Sequence, residues 1–531
     1  MESLEIRLNN FLFNSGVLGL YTILRNVEKE DKVQINGNAL IVEKEAFDNF
    51  EEDYIKTMLN TFEEDTKWHT IINRKEKIRR LDMQEQEDIE QLEENYKSIK
   101  RAMDSASYKS GYEIIKNNTE EDPYILLEQI KKEKDTEKQK TKLIKVIEHI
   151  EAYKEIYCMK DIIYTKINCF WENVAFLNRT SNKKEIKEEY KKVFVTPVQE
   201  YLKKSSGNDY NCIECGTPIN KSEATGMSWL KDVGVDINRK KSGFWNFKED
   251  TFLCPVCNLI YSCVPLGFCM VGSNGIFINN NDSFHNLKAS NSEMKLEKED
   301  KIDTFNHLYY RILTKQINRM NQLTNEKKAK YEPDNIQVVK RLTLPNKQIY
   351  EFNLLAKDKL KILERTATYF EKLVTTTIYQ KVLDNVIEGR RLYSIIAELI
   401  EKRIEMRAIY YVLKIEANTM IGGENVEERE QEIEEMIREG ERLQAHFYAN
   451  KENKNKLNSF SYKLQGALKA NNVNEFMKLF TLFYGSMNIK MPKGKAITHL
   501  IGRQEDFRLY GYAYIYGLGK KTEQGGKEDE E

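Results

Sequence analysis

Cys212-Ile213-Glu214-Cys215 and, 38 residues further on, Cys254-Pro255-Val256-Cys257 are two C-x-x-C pairs in one chain of 531 residues, and their reading decides the fold around them. Each pair sets two sulfurs on a tight turn facing one side, and zinc accepts four thiolates at about 2.3 Å. The spacing therefore predicts a single structural Zn2+ site with Cys212, Cys215, Cys254 and Cys257 as ligands. Closing it turns 216–253 into a loop that carries Arg239, Lys240, Lys241 and Lys248 around Phe244-Trp245-Asn246-Phe247. The metal would order a basic, aromatic excursion. Buried core thiols or a disulfide are the competing readings. A catalytic zinc is disfavoured, because four thiolates fill the coordination shell and leave no position for an activated water. Cys263 and Cys269, on the apolar stretch 261–270, read as core thiols, with ligand replacement as the alternative.

The chain is longer than one hydrophobic core usually supports, so two or three domains are expected. With 40% apolar and 11% aromatic residues, most of it should fold although 31% is charged. Eight cysteines behind a mixed-charge N-terminus fit a reducing, cytoplasmic setting. No run approaches the roughly 18 uncharged apolar residues of a membrane span, so no membrane role is expected.

A formal net charge of −1 gives no sign of nucleic acid by itself, but its distribution does. The stretch 451–495 holds nine lysines against Glu452 and Glu475. Phosphate neutralisation is the leading use of such a stretch. The alternative is internal balance, since 424–442 carries nine Glu against three Arg.

The pattern predicts an α+β fold: a mixed N-terminal region with the four-cysteine zinc module, then a C-terminal helical bundle. Residues 8–24 are apolar at helical spacing, and Val33 to Val42 read as a hairpin turning at Asn36-Gly37. Ile89, Leu92, Tyr96, Ile99 and Met103 step by three and four, as does the stripe Leu143, Ile147, Ile150, Tyr157; the two predict a helical hairpin, with a coiled coil to a partner as second choice. Strands are expected at 264–271, 275–279, 338–344 and 349–355. Helices are expected at 392–417, 426–448, 459–468, 473–484 and 505–518. The resulting domains are 1–200 (helix, hairpin and charged helices), 201–357 (zinc knuckles and hairpins), 358–518 (helical bundle) and a disordered tail, 519–531.

Several of these features occur together in one known family. Asn14-Ser15-Gly16-Val17-Leu18-Gly19 on the first helix, the hairpin after it, the two C-x-x-C pairs, Pro265-Leu266-Gly267-Phe268, and the closing Gly511-Tyr512-Ala513-Tyr514-Ile515-Tyr516-Gly517-Leu518 follow one another in order. This series resembles the CXXC-CXXC family of CRISPR-associated large subunits of type I-B Cascade. The resemblance implies a non-catalytic subunit of a crRNA-guided complex. Such a subunit would sit at the crRNA 5′ end, recognise the PAM in target double-stranded DNA, assist R-loop formation, contact other Cascade subunits and recruit the helicase-nuclease. It also implies that the C-terminal bundle is a candidate for separate synthesis as a small subunit, from Met406 or Met420.

For groove reading the candidates are Asn274, Asn279 and Asn280, whose amides can pair with base edges where glycine lets backbone approach; turn formation is the competing role. For phosphate contact they are Arg239, Lys240 and Lys241 in the loop and Lys454, Lys456, Lys493 and Lys495 near the C-terminus, against simple solvation. Trp245 is a candidate for base stacking or for the core. No H-E-x-x-H and no phosphate-binding loop occurs, and Gly517 to Thr522 imitates one with the wrong spacing. Two other function classes stay open: a zinc-dependent nuclease or hydrolase using Glu214 or Glu249, and a protein-only scaffold built on 78–160.

Overall fold

A computed structural model describes residues 3–119, 121–203, 207, 209–233, 251–292, 335–344, 347–420, 426–449, 454–502 and 504–520. The chain divides into two compact units, residues 1–295 with 336–354, and 296–335 with 355–531. Each is built around its own helices, and the architecture is α+β as expected.

The first unit opens on β1 (Ser3–Arg7), α1 (Phe11–Asn26), β2 (Val33–Asn36) and β3 (Ala39–Glu43), with strand order β1-β3-β2. Both pairings are antiparallel, with Ile6 opposite Leu40 and Asn36 opposite Ala39. The two-residue loop is thus Gly37-Asn38, one residue later than Asn36-Gly37. Gly37 supplies the positive φ, 58°. β1 was not legible in the mixed-charge N-terminus, because only Ile6 of its five residues is buried.

Helices α2 (Phe50–Phe62), α3 (Lys67–Arg80), α4 (Gln86–Met103), α5 (Ala106–Ile115), α6 (Pro123–Lys132), α7 (Thr136–Ala152) and α8 (Lys154–Thr165) follow. From α3 onward they close a core of their own, in which Trp68, Ile71, Leu92, Ile99, Met103, Leu143, Ile147, Ile150 and Tyr157 are buried together. Both predicted stripes meet there, so the charged helices bury their apolar faces within the chain.

Next come α9 (Ile186–Tyr190), α10 (Thr196–Tyr201) and four two-residue strands: β4 (Tyr210–Asn211), β5 (Pro218–Ile219), β6 (Thr225–Gly226) and β7 (Phe252–Leu253). After these, α11 (Pro255–Ser262) and α12 (Val264–Gly267) lead into β8 (Cys269–Val271), β9 (Asn274–Asn279), α13 (Phe284–Ser292), β10 (Asn335–Leu344) and β11 (Lys347–Ala356). The last four strands form one sheet in the order β11-β10-β9-β8. Residues 264–267 are helical rather than extended, and the turn falls at Gly272-Ser273.

The core of this part is set by how closely α1 lies on α11 and α12. A Cβ on Gly16 would sit 2.4 Å from the Ile260 carbonyl oxygen, one on Gly19 2.0 Å from that of Cys263, and one on Gly267 1.9 Å from that of Ser15. No side chain fits there, which gives the Asn-x-Gly-x-x-Gly and Pro-x-Gly-Phe motifs one steric cause. Around this crossing Tyr54, Trp171, Tyr190, Phe194 and Trp229 stack edge and face at centroid separations of 4.3 to 6.4 Å.

The second unit is helical: α14 (Lys357–Leu373), α15 (Tyr379–Glu388), α16 (Tyr393–Lys402), α17 (Met406–Thr419), α18 (Val426–Ala449), α19 (Lys454–Lys469), α20 (Val473–Ser486), α21 (Lys495–Gly502) and α22 (Gln504–Gly519). The pattern over 392–417 is broken into α16 and α17, because Arg403 and Glu405 take left-handed φ of 52° and 46°. In α22 Phe507, Leu509, Tyr510, Tyr512, Tyr514 and Tyr516 are all buried. α22 lies on α18 through Gly517 and Gly440, whose added Cβ atoms would meet the Ile437 and Tyr514 carbonyl oxygens at 2.1 and 2.3 Å. Among the described residues no helix is long and apolar enough to cross a membrane.

Candidate metal centre

The four sulfurs of Cys212, Cys215, Cys254 and Cys257 lie within 4.8 Å of one another. Two different local structures deliver them. The first knuckle is a turn after β4, where Gly216 N–H donates to the Cys212 carbonyl at 2.8 Å and Gly216 takes φ +72°. A bridge between Cys212 and Phe252, with Ile213 N–H donating to Phe252 O at 2.9 Å, brings the second knuckle alongside. The second knuckle is the start of α11: Cys254 is its N-cap, its sulfur accepts from Cys257 N–H at 3.4 Å, and Pro255 occupies the first turn. A helix N-terminus favours thiolates.

This donor set fits a metal. Four sulfurs held about 2.3 Å from one zinc ion stand about 3.8 Å apart along each tetrahedral edge, and Cys215 Sγ lies 3.8 Å from Cys254 Sγ. Cys212, Cys254 and Cys257 are buried and Cys215 is exposed. In the absence of a cation such crowded thiols share protons unequally. Contact with Cys212, then Cys254 and Cys257, lowers Cys215, while contact with Cys212 and Cys215 raises Cys254 and Cys257. A divalent ion would let all four ionise. Cys263 is fully buried, donates to Leu259 O at 3.4 Å and stands outside the quartet, as does Cys269. Cys263 is thus a core thiol, as the sequence reading preferred, whereas Cys269 is half-buried on β8.

Glu214, between the first two ligands, has a role that sequence reasoning missed. Its carboxylate accepts from Asn9 Nδ2 at 2.8 Å, from Asn10 Nδ2 at 2.9 Å and from the Tyr261 hydroxyl at 2.6 Å. Asn10 is at the same time the N-cap of α1, where its oxygen accepts from Leu12 and Phe13 N–H at 3.0 Å. Glu214 therefore ties the knuckle to the start of α1, and Tyr261 ties it to the helix that carries Cys254 and Cys257. Burial raises its pKa against these donors. A carboxylate engaged from three sides is a clamp rather than a base poised over a substrate. No spacing rule could have paired Glu214 with Asn10, 204 positions away.

The other predicted site residues are dispersed. Arg239, Lys240, Lys241, Trp245, Lys248 and Glu249 lie outside the described residues, as do 521–531 of the expected tail. Asn274 is half-buried and its oxygen accepts from Thr343 N–H at 2.8 Å. Asn279 and Asn280 are buried: Asn279 accepts from Asn14 Nδ2 at 2.9 Å and donates to Gln337 at 3.1 Å, and Asn280 donates to Ser290 Oγ at 3.2 Å. Lys456 and Lys493 are exposed, whereas the side chains of Lys454 and Lys495 lie outside the described residues. Of the neighbouring lysines, Lys469 pairs with Glu401 and Lys478 with Glu475, neither of them in the acidic helix α18.

Comparison with known proteins places only the cysteine segment. No curated protein and no solved structure matches the chain. Residues 205–269, which contain both knuckles, α11 and α12, match the model of the family described as CRISPR-associated protein (Cas_CXXC_CXXC). Over the segment that carries the four thiols, the chain is similar to this family of CRISPR-associated proteins.

Proposed function

We propose that the chain is the non-catalytic large subunit of a crRNA-guided surveillance complex of the type I-B Cascade kind, working in the cytoplasm. The single observation that carries this reading is the coincidence of the family match with a quartet of sulfurs within 4.8 Å of one another. A shell of four thiolates holds a shape and activates no water. The zinc ion would supply folding energy, with Cys212, Cys215, Cys254 and Cys257 as ligands. In this role the subunit holds the crRNA 5′ end, reads the PAM in duplex target DNA, supports R-loop formation and offers a surface to the helicase-nuclease and sibling subunits. Base pairing with the guide then reads the sequence, so the protein needs groove contacts at the PAM and sequence-neutral phosphate contacts elsewhere. Arg239, Lys240 and Lys241 are assigned to phosphate, with Lys454, Lys456, Lys493 and Lys495. Of the three asparagines, half-buried Asn274 is placed better for a groove than buried Asn279 and Asn280.

Two rival readings lose support from particular residues. A hydrolase using Glu214 needs a carboxylate that three donors already occupy. A scaffold using the apolar stripes of the charged helices needs faces that are buried in their own core.

The test is reconstitution with crRNA and partner subunits, followed by titration of PAM-bearing duplex at several salt concentrations. Lys454→Glu, Lys456→Glu, Lys493→Glu and Lys495→Glu together should weaken binding and flatten the slope of log K against log salt by about 0.9 for each phosphate that the protein no longer neutralises. Unchanged slope and affinity would remove the lysine-rich stretch from the interface, and cleavage of DNA by the chain alone would overturn the non-catalytic assignment.

A further inference from the structure

Away from the cysteine cluster, the helical insert of the first unit holds a cavity of about 420 Å³ lined from α5, the start of α6, the end of α8 and residues 182–183. That size falls in the range of small-molecule sites. Its wall is aromatic. Tyr112 and Tyr124 meet edge to face with centroids 4.9 Å apart, and Tyr164, 36% exposed, stands beside them. Lys109 and Lys183 line it with exposed side chains, Lys109 lying 3.5 Å from Asp104, which Lys100 also approaches at 3.7 Å.

Behind the wall is a charge that the packing around it does not balance. Lys160 is fully buried, and its ammonium donates to the carbonyl of Asn182, a lining residue whose same oxygen also accepts from Ser110 Oγ at 3.2 Å. Burial lowers its pKa to about 8, with no carboxylate among the described residues pairing with it to offset the cost. A buried cation without a counter-charge is expensive. The acid in the lining, Glu113, is already shared by Lys116 and Lys183, each at 3.0 Å, and contact with Lys116 first, then Lys183, keeps its pKa low. Asp104 and Glu113 are thus each shared by two lysines and Lys160 behind them has no carboxylate, so the cavity joins stacking surfaces to a surplus of positive charge, a combination that suits a ligand with one flat ring system and one anionic group.

We infer that this cavity binds a nucleoside phosphate, its base against Tyr112, Tyr124 and Tyr164 and its phosphate toward Lys109, Lys183 and the buried charge of Lys160. Tyrosine faces accept any base, and lysine ammoniums meet phosphate as point charges. This site is independent of the surveillance-complex reading and shares none of its residues. The nucleotide has two possible sources, a free mononucleotide or the phosphorylated end of a strand.

The test is equilibrium binding of the full chain to AMP, adenosine, inorganic phosphate and a 5′-phosphorylated RNA tetranucleotide at one ionic strength. AMP should bind more tightly than adenosine or phosphate alone. Lys109→Glu with Lys183→Glu should weaken AMP on the order of tenfold, the scale of one charge-assisted hydrogen bond, and leave adenosine unchanged. Tyr164→Ala should weaken both. A tetranucleotide that binds like AMP, with the same sensitivity to these variants, assigns the site to a strand end; one that is excluded while AMP binds assigns it to the free nucleotide. Equal affinity for AMP and adenosine, no binding of AMP, or AMP binding that neither variant alters would overturn the proposal.

Discussion

The first unit contains two cores of contrasting origin. The helical core around Trp68 and Ile147 is assembled from α3 to α8, neighbours in sequence, and is closed mostly by aliphatic side chains. The core around Trp171 and Leu259 joins α1 to α11 and α12, more than 200 positions apart, and leaves two sulfur knuckles at its edge. Local helices need only an amphipathic stripe to find each other. The distant crossing has glycines for close approach and, at its margin, four thiols close enough to hold one cation. One core should therefore respond to metal and the other to the ordinary chemistry of burial.

The largest expected effect comes from removing the metal. Chelation, or Cys254→Ser, should open the knuckles and the start of α1 by several kcal/mol, the scale set by the much larger affinity of structural zinc sites. Hydrogen exchange would read it: amides of 9–14, 212–217 and 254–260 should lose protection while those of α4 and α7 keep theirs. Equal loss in both regions would merge the two cores into one cooperative unit and break the comparison.

A smaller effect is expected at the clamp between knuckle and helix. Glu214→Ala leaves Asn9, Asn10 and Tyr261 without their shared acceptor and should cost about 1–3 kcal/mol. Denaturant midpoints and metal retention would show it, with chelators stripping the variant faster than the parent. If Glu214→Ala matched the parent in both, the carboxylate would be incidental to the site.

The smallest effect sharpens the contrast from the other side. His149, whose Nε2 lies 3.0 Å from the Tyr157 hydroxyl, is held neutral by burial, which lowers its pKa from 6.5 to about 4. The unfolded chain takes up a proton below 6.5 that the folded chain refuses, so this contribution is complete above 6.5 and is lost as pH falls toward 4. The full difference between 6.5 and 4 would correspond to about 3 kcal/mol, and solvent screening of the partly exposed ring reduces the expected loss across that window to about 1–2 kcal/mol. His149→Gln should flatten this loss in hydrogen exchange of α7. An unaltered pH profile would show that another group titrates there.

Much of this was legible in the chain. The C-x-x-C pairs needed no periodicity to be read, and Leu92, Ile99, Leu143 and Ile147 announced their helices by steps of three and four. What stayed hidden depends on residues far apart in sequence. Gly16 and Gly19 were visible as a motif, but only the carbonyls of Ile260 and Cys263 explain why side chains are refused. Glu214 looked like a free acid because Asn10 and Tyr261 reach it from two other elements. The break at Arg403 and Glu405 carries no glycine or proline to mark it, and β1 is too short and too exposed to alternate visibly. Asn279 and Asn280 carry the residue type of a base reader and the burial of a core polar pair, which residue type alone cannot separate.

Native mass spectrometry of the purified chain, combined with alkylation of accessible thiols, addresses the central claim most directly. The account predicts one zinc ion per chain, with Cys212, Cys215, Cys254 and Cys257 protected from alkylation until a chelator is added. A folded chain free of metal, with those thiols reactive or joined as disulfides, would contradict it.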